Sequence, residues 1–149
     1  MNNPVEIKKL ALLRLDEASL LCRNKKYDGA LYLAGYSVEL MLKAKICERW
    51  GIPNLFDFSI RGGEDIGKIR EIVKTHKLTV LLILSGLKTK FDAEKANNRN
   101  LMKANSLLFE RWSEQNRYSL VGSVDEQDAK TLIKLLKTKK GLLSWIEKN

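Results

Sequence analysis

The sequence YDGALYLAGYSVELMLKA, residues 27–44, is the most informative segment for the fold. Small residues recur along it between large apolar ones, so a neighbouring helix can approach its backbone closely while the larger side chains fill the remaining space. The pattern predicts a helix over residues 29–50, with Asp28 as its N-cap. Gly51 and then Pro53 mark the end of this helix. Because the helix is apolar on most sides, we expect it to be the central element of a bundle.

Apolar residues at helical spacing predict further helices on both sides of this stretch. The expected segments are residues 4–24, 68–87 with a break near 74–77, 101–114, and 123 to the end of the chain. Residues 88–100 are polar, and a turn or helix start is expected only at their end.

The last helix has a recognisable opening. Ser123 and Glu126 have the spacing of a capping box, in which the serine and the glutamate satisfy each other's backbone amides. Taken together, the segments predict an all-α fold, an up-and-down bundle of four to five helices that forms a single domain over residues 1–149.

Composition narrows the class of protein. Hydrophobic residues make up 44% and charged residues 30% of the 149 residues, which is typical of a globular protein with one ordinary core. The longest apolar run, residues 79–87, is too short to span a bilayer, and the N-terminus has no secretory pattern. Cys22 and Cys47 both fall in helical segments, which favours a reduced interior. We therefore expect a cytoplasmic protein with no membrane contact.

The charge balance gives the first indication of function. There are 27 Lys and Arg residues against 18 Asp and Glu residues, for a formal net charge of +9. Such a charge attracts polyanions, and these include nucleic acid, nucleotide phosphates and acidic proteins. A solvated lysine-rich face gives the same composition, so charge alone does not assign a ligand.

Several kinds of site are excluded by what the chain lacks. It has a single histidine, His76, and its two cysteines do not have metal-ligand spacing, so no metal site is expected. No phosphate-binding glycine loop occurs, and Gly62-Gly63 is only a turn signal. No cofactor is predicted.

Glu39 and Lys43 are four residues apart in the order that favours pairing along a helix. On an exposed face this pair is a minor surface contact. On a helix that is otherwise apolar, the same pair would mark an interface or a site. The sequence leaves both interpretations open.

Motifs along most of the chain resemble those of the HEPN domains, a family of helical domains found in higher eukaryotes and prokaryotes. The resemblance extends from Val5 to Trp145. The matching residues are Tyr27-Asp28-Gly29-Ala30, Ala34-Gly35-Tyr36, Glu39 with Lys43 and Ala44, Thr75-His76-Lys77-Leu78, Trp112, Arg117-Tyr118 and Trp145.

The resemblance implies a helical bundle that forms a homodimer and that acts with a minimal nucleotidyltransferase as partner. In many members of the family it implies metal-independent RNA cleavage by an arginine and a histidine that are separated by four to six intervening residues. Here Arg117 resembles the family's arginine, but no histidine follows it. The one literal match is Arg70, five intervening residues and His76.

Three hypotheses follow. In the first, a non-catalytic module binds nucleotide or RNA phosphates, or a nucleotidyltransferase partner; its binding residues would be Arg117, Tyr118, Lys130, Lys134 and Lys137. In the second, the chain is a ribonuclease of the toxin type, with His76 as general acid and base and Arg70 or Arg117 stabilising charge. In the third, it is only an assembly module.

Structural roles are also open for some of these residues. His76 suits a position at a helix start, and Trp112 and Trp145 suit the core or a dimer interface.

Overall fold

A computed structural model describes residues 3–149, and every regular element in them is helical. The α-helices are α1 (Pro4–Arg23), α2 (Tyr27–Trp50), α3 (Glu64–Val73), α4 (Leu78–Leu84), α5 (Lys88–Lys95), α6 (Arg99–Ala104), α7 (Glu126–Lys137) and α8 (Leu142–Lys148). A π-helical turn, Asn105–Phe109, extends α6, and a 3₁₀ turn, Glu114–Tyr118, precedes α7. None of the helices in residues 3–149 has the length and apolar character needed to cross a membrane.

The central position of α2 is confirmed. All residues from Ser37 to Cys47 on this helix are buried, and α2 contacts α1, α4, α7, α8 and the 3₁₀ turn. Gly51 ends the helix in the left-handed conformation at φ 65°, as the sequence predicts. The start of α1 at Pro4 is also confirmed, with Asn3 as its N-cap.

Two sequence-based assignments near the helix ends are wrong, and they have a common cause. Asp28 is not the N-cap of α2, which begins at Tyr27; instead its two carboxylate oxygens accept hydrogen bonds from the backbone amides of Gly122 at 2.7 Å and Val124 at 3.1 Å. These bonds tie down the segment that precedes α7. The N-cap of α7 is therefore Asp125, which accepts from the amide of Asp128, and the expected capping box does not form.

The prediction of four or five helices is not confirmed, because the chain divides into shorter elements. The expected third helix does break at residues 74–77, into α3 and α4. The expected last helix also breaks, because no apolar residue falls between Leu136 and Leu142 to hold residues 137–141 against the core. At this break a Cβ on Gly141 would lie 2.4 Å from the carbonyl oxygen of Leu135, so only glycine fits there.

Helix α5 lies in the segment that the sequence marks only as polar. Phe91 is its one buried residue, and one large apolar residue in eight gives no periodic signal. The Phe91 ring packs edge-on against Phe109 and Trp145, with centroid distances of 5.0 and 5.6 Å. Tertiary contact through this aromatic cluster therefore forms α5.

The turn between α1 and α2 contains a strained residue. Lys25 has φ 59°, a left-handed conformation that costs a non-glycine residue about 1–2 kcal/mol. Lys25→Gly is expected to raise the free energy of unfolding by about 0.5–1 kcal/mol, because relief of this strain exceeds the added freedom of the unfolded chain. Urea titration measures the change. Lys26→Gly is the matched control: Lys26 has φ −97°, so glycine there relieves no left-handed strain, and a Lys26→Gly variant as stabilised as Lys25→Gly would contradict the account.

Candidate functional site

A basic groove lies between α6 and α7. Arg99 and Lys103 contribute from α6 and Lys130 and Lys134 from α7, each pair one helical turn apart. The other lining residues are Asn100, Gln127, Thr131, Leu135 and Thr138. The groove has a volume of about 430 Å³, within the range of ligand sites, and its described lining includes four cations and no acidic residue.

Lys130 also belongs to a small polar network at one end of α7. Its ammonium group donates to Glu126, one turn earlier on the helix. Bonding from Lys130 and from the Tyr27 hydroxyl lowers the pKa of Glu126, and the carboxylate in turn raises the pKa of Lys130. Both side chains of the ion pair are more than half exposed, so a phosphate can replace Glu126 as the partner of Lys130 at little cost.

The structure separates the other predicted phosphate-binding residues from this groove. Lys137 lies on the same helix, but its ammonium donates to Ser19 on α1 at 3.1 Å and lies 3.9 Å from Asp16. Arg117 and Tyr118 lie on the 3₁₀ turn, where the guanidinium stacks 4.9 Å from the ring centroid and both side chains are exposed. Of the five residues predicted to bind phosphate, only Lys130 and Lys134 line one groove.

A second polar cluster is built on the buried part of α2. Glu39 is 1% exposed, and its Oε1 accepts from Lys43 Nζ at 2.7 Å and contacts His76 Nδ1 at 2.9 Å. Its Oε2 is buried and has no hydrogen-bond partner among the described residues. The Glu39–Lys43 pair, which the sequence left undecided, is therefore buried. The pKa of the nearby Tyr36 hydroxyl is raised by that hydroxyl's own burial and, in addition, by the charge of the Glu39 carboxylate.

The Glu39 contact orients the His76 ring. An ionised carboxylate has only acceptors, so the contact requires a proton on Nδ1 and leaves Nε2 as the basic nitrogen of the neutral ring. The His76 side chain is 53% exposed and lines a cleft of about 210 Å³ with Thr79, Trp112 and Ser113. This is the arrangement of a histidine that can exchange a proton with a bound molecule, although the cleft is smaller than typical ligand sites.

Arg70, the predicted partner of His76, holds a loop in place. Its Nε donates to the carbonyl of Leu55, and its Nη1 and Nη2 to those of Ile60 and Asn54, at 2.6–3.3 Å. Arg70 is 8% exposed, so its guanidinium stabilises the α2–α3 loop rather than facing open solvent. Nothing in this geometry directs Arg70 to a phosphate beside His76.

Gly29, another residue of the family-like motif, lies at the packing contact between α1 and α2. A Cβ there would approach Leu21 Cδ1 to 3.1 Å. Tyr27, Asp28 and Gly29 therefore hold the hairpin of α1 and α2 and the loop before α7, while Glu39 and Lys43 lie further along α2 beside His76.

Arg99 and Lys103 are the residues of the groove that sequence reasoning missed. Their i, i+4 spacing on a helix is visible in the sequence, but it joins them to Lys130 and Lys134 only because α6 packs on α7. No group of three or more residues able to hold a metal occurs in residues 3–149. Comparisons with protein-family models, with curated proteins and with solved structures found no match to this chain.

Proposed function

We propose that this chain is a helical RNA-binding module that holds the phosphate backbone in the groove between α6 and α7 without cleaving it. The observation that carries the proposal is the grouping of Arg99, Lys103, Lys130 and Lys134 around one groove. Four cations from two helices offer several phosphate contacts at once, and the net charge of +9 attracts the ligand over a longer range.

The rest of the groove indicates how RNA would be held. Asn100, Gln127, Thr131 and Thr138 supply neutral donors and acceptors for phosphate and sugar oxygens. The described lining contains no aromatic residue, so no platform for base stacking is present there. We therefore expect binding that depends on the backbone and tolerates many sequences.

A salt titration tests the proposal. If all four cations contact a single-stranded RNA, log K should fall with log salt concentration with a slope of about −3. Lys130→Gln/Lys134→Gln removes two contacts, so the slope should fall to about −1.4. Fluorescence anisotropy of a labelled RNA measures both slopes.

The control removes the same charge from elsewhere. Lys68 on α3 and Lys148 on α8 lie outside the groove, so Lys68→Gln/Lys148→Gln keeps the net charge of the groove variant but should retain the wild-type slope. Equal losses in the two variants would mean that RNA responds only to net charge, and the groove would then have no special role.

A metal-independent ribonuclease is the second candidate, favoured by the contact between His76 and buried Glu39. His76 Nε2 could take the proton of a ribose 2′-hydroxyl, whose oxygen then attacks the adjacent phosphorus. The bond to the 5′ oxygen breaks, and His76 passes the proton that it took up to this leaving oxygen, giving a 2′,3′-cyclic phosphate and a neutral imidazole. The small cleft and the engagement of Arg70 with backbone carbonyls make this the weaker candidate.

A cleavage assay separates the two candidates. Labelled single-stranded and transfer RNA are incubated with wild type, His76→Ala and Arg70→Lys in the presence of a metal chelator. Under the binding proposal the folded wild type binds RNA and leaves it intact. Cleavage that disappears in His76→Ala would replace the binding proposal by the ribonuclease.

The remaining expectations from the resemblance to HEPN domains stay predictions. These are the fold family itself, the homodimer, a nucleotidyltransferase partner, and contact of Arg117 and Tyr118 with a ligand. A pure assembly module would show neither retention on RNA nor a salt-dependent affinity, so the titration above also tests that alternative.

A further inference from the structure

The solvent face of α1 is unusually apolar. Helix α1 buries Ile7, Ala11, Leu15 and Ala18 against the core on one side. On the opposite side Val5, Leu12, Leu13 and Leu20 are between 50 and 60% exposed. At 100° per residue these four side chains fall within one stripe about 100° wide.

Two charged residues lie along the middle of this stripe. Lys9 and Asp16 are both exposed and are seven residues apart, which places them on the same face two turns from each other. Asp16 has a side chain that is 74% exposed and lies 3.9 Å from Lys137, the nearest cation on the adjoining helix α7.

The stripe is complementary to itself in an antiparallel arrangement. Lys9 lies three residues before Leu12, and Asp16 lies three residues after Leu13; Val5 lies seven before Leu12, and Leu20 seven after Leu13. A twofold axis between residues 12 and 13 therefore brings Lys9 level with the partner's Asp16. The same axis brings Val5 level with the partner's Leu20, and Leu12 level with the partner's Leu13.

A parallel arrangement fails on charge. It would place Lys9 beside the partner's Lys9 and Asp16 beside the partner's Asp16, and like charges at an interface are unfavourable. The antiparallel arrangement makes two ion pairs related by symmetry, with leucines on both sides of them.

The neighbouring surface also accommodates a second copy. Leu12 and Asp16 line a cleft of about 390 Å³ with residues of α7 and α8, among them Leu136 and Leu143. The antiparallel arrangement brings the partner's Leu13 toward the leucines of this cleft, whose lining also includes charged residues of α7 and α8.

We propose that α1 is a homodimer interface in which two copies pair antiparallel about a twofold axis between Leu12 and Leu13. Helix α1 is about 30 Å long, so the contact falls at the small end of specific interfaces, below ~1,200 Å² in total. A weak, reversible dimer with a micromolar dissociation constant is expected. The interface lies on a different helix from those that form the α6–α7 groove, so a test of dimer formation is independent of the test of RNA binding.

Sedimentation velocity across the micromolar range tests the interface. Leu13→Glu should raise the dissociation constant at least ~tenfold, because it puts a carboxylate among the paired leucines. Leu13 is half exposed, so the variant should fold normally. Ile72→Glu on α3 is the matched control, with a side chain that is 59% exposed, and should dimerise like wild type. A wild type that stays monomeric throughout, or a Leu13→Glu dimer as stable as that of the wild type, would overturn the proposal.

A mixing experiment tests the antiparallel register. Lys9→Asp and Asp16→Lys each place like charges opposite one another in a homodimer, so each variant alone should be largely monomeric. In an equimolar mixture the two variants become complementary at both positions, and the dimer should return. Lys9→Asp also lowers the net positive charge of the protein. If only the overall repulsion between two positive molecules mattered, this variant would dimerise more strongly than wild type, which is the opposite of the result expected here. A mixture that stays as monomeric as its components would overturn the antiparallel pairing.

Discussion

Gly35→Ala is expected to lower the free energy of unfolding by about 1–3 kcal/mol. A Cβ at position 35 would lie 2.1 Å from Trp112 Nε1 and 2.2 Å from its Cε2, distances at which the indole must move. Trp112 is 7% exposed, and its Nε1 donates to the carbonyl of Tyr32 at 3.2 Å. Overpacking costs about 1–3 kcal/mol, and loss of the hydrogen bond costs about 1 kcal/mol. Together these costs exceed the ~1 kcal/mol by which alanine is favoured over glycine in a helix.

Thermal unfolding followed by circular dichroism measures this effect, which should appear as a fall in Tm of roughly 3–10 °C for a chain of this size. Gly67→Ala is the matched control. Gly67 lies within α3, and a Cβ there meets no atom within 4 Å, so alanine should stabilise the protein by about 0.5–1 kcal/mol.

A double-mutant cycle assigns the cost to the contact between these two side chains. In a Trp112→Leu background the space occupied by the indole is open, so Gly35→Ala should lose most of its penalty. A penalty that is unchanged in that background would place the strain elsewhere along α2.

Lys43→Met is the second substitution with a large expected effect, a loss of about 3 kcal/mol or more in the free energy of unfolding. Glu39 is 1% exposed, and removal of the Lys43 ammonium leaves its carboxylate buried with only the contact to His76. Breaking a buried ion pair at one partner costs about 3–5 kcal/mol, because the remaining charge stays desolvated.

Urea titration of Lys43→Met beside Glu39→Leu/Lys43→Met tests this reasoning. The double variant removes both charges, so it should be clearly more stable than Lys43→Met alone. Lys68→Met, which breaks the exposed pair of Lys68 with Glu64 at 3.1 Å, should change stability by less than about 1 kcal/mol. A Lys43→Met variant as mildly affected as Lys68→Met would show that Glu39 is solvated.

The part of the fold that follows from local pattern could be predicted from the sequence. The start of α1 at Pro4 and the end of α2 at Gly51 depend on φ preferences of single residues, and burial along α2 depends on a long apolar run. Helix α5 could not be predicted, since tertiary contacts hold it: Phe91 packs on Phe109 and Trp145, and Glu94 accepts a hydrogen bond from the Trp145 indole. Asp28 is a residue type that favours the N-cap, but its carboxylate accepts hydrogen bonds from backbone amides more than 90 residues away in the sequence.

The groove between α6 and α7 could likewise be predicted from the sequence only in part. Lys130 and Lys134 could be grouped from their helical spacing, but the same spacing also includes Lys137, which the fold directs to Ser19 on α1. Arg99 and Lys103 belong to the groove because of the packing of α6 on α7, a contact that no local pattern encodes.

An all-helical chain organised around α2, with a strongly basic composition, follows from the residue types and their periodicity. Tertiary packing, in contrast, buries the Glu39–Lys43 pair beside His76 and places the Arg70 guanidinium against backbone carbonyls. An i, i+4 ion pair has the same spacing on an exposed face as on a buried one. Its environment is set by the elements that fold over it, and these lie far away in the sequence.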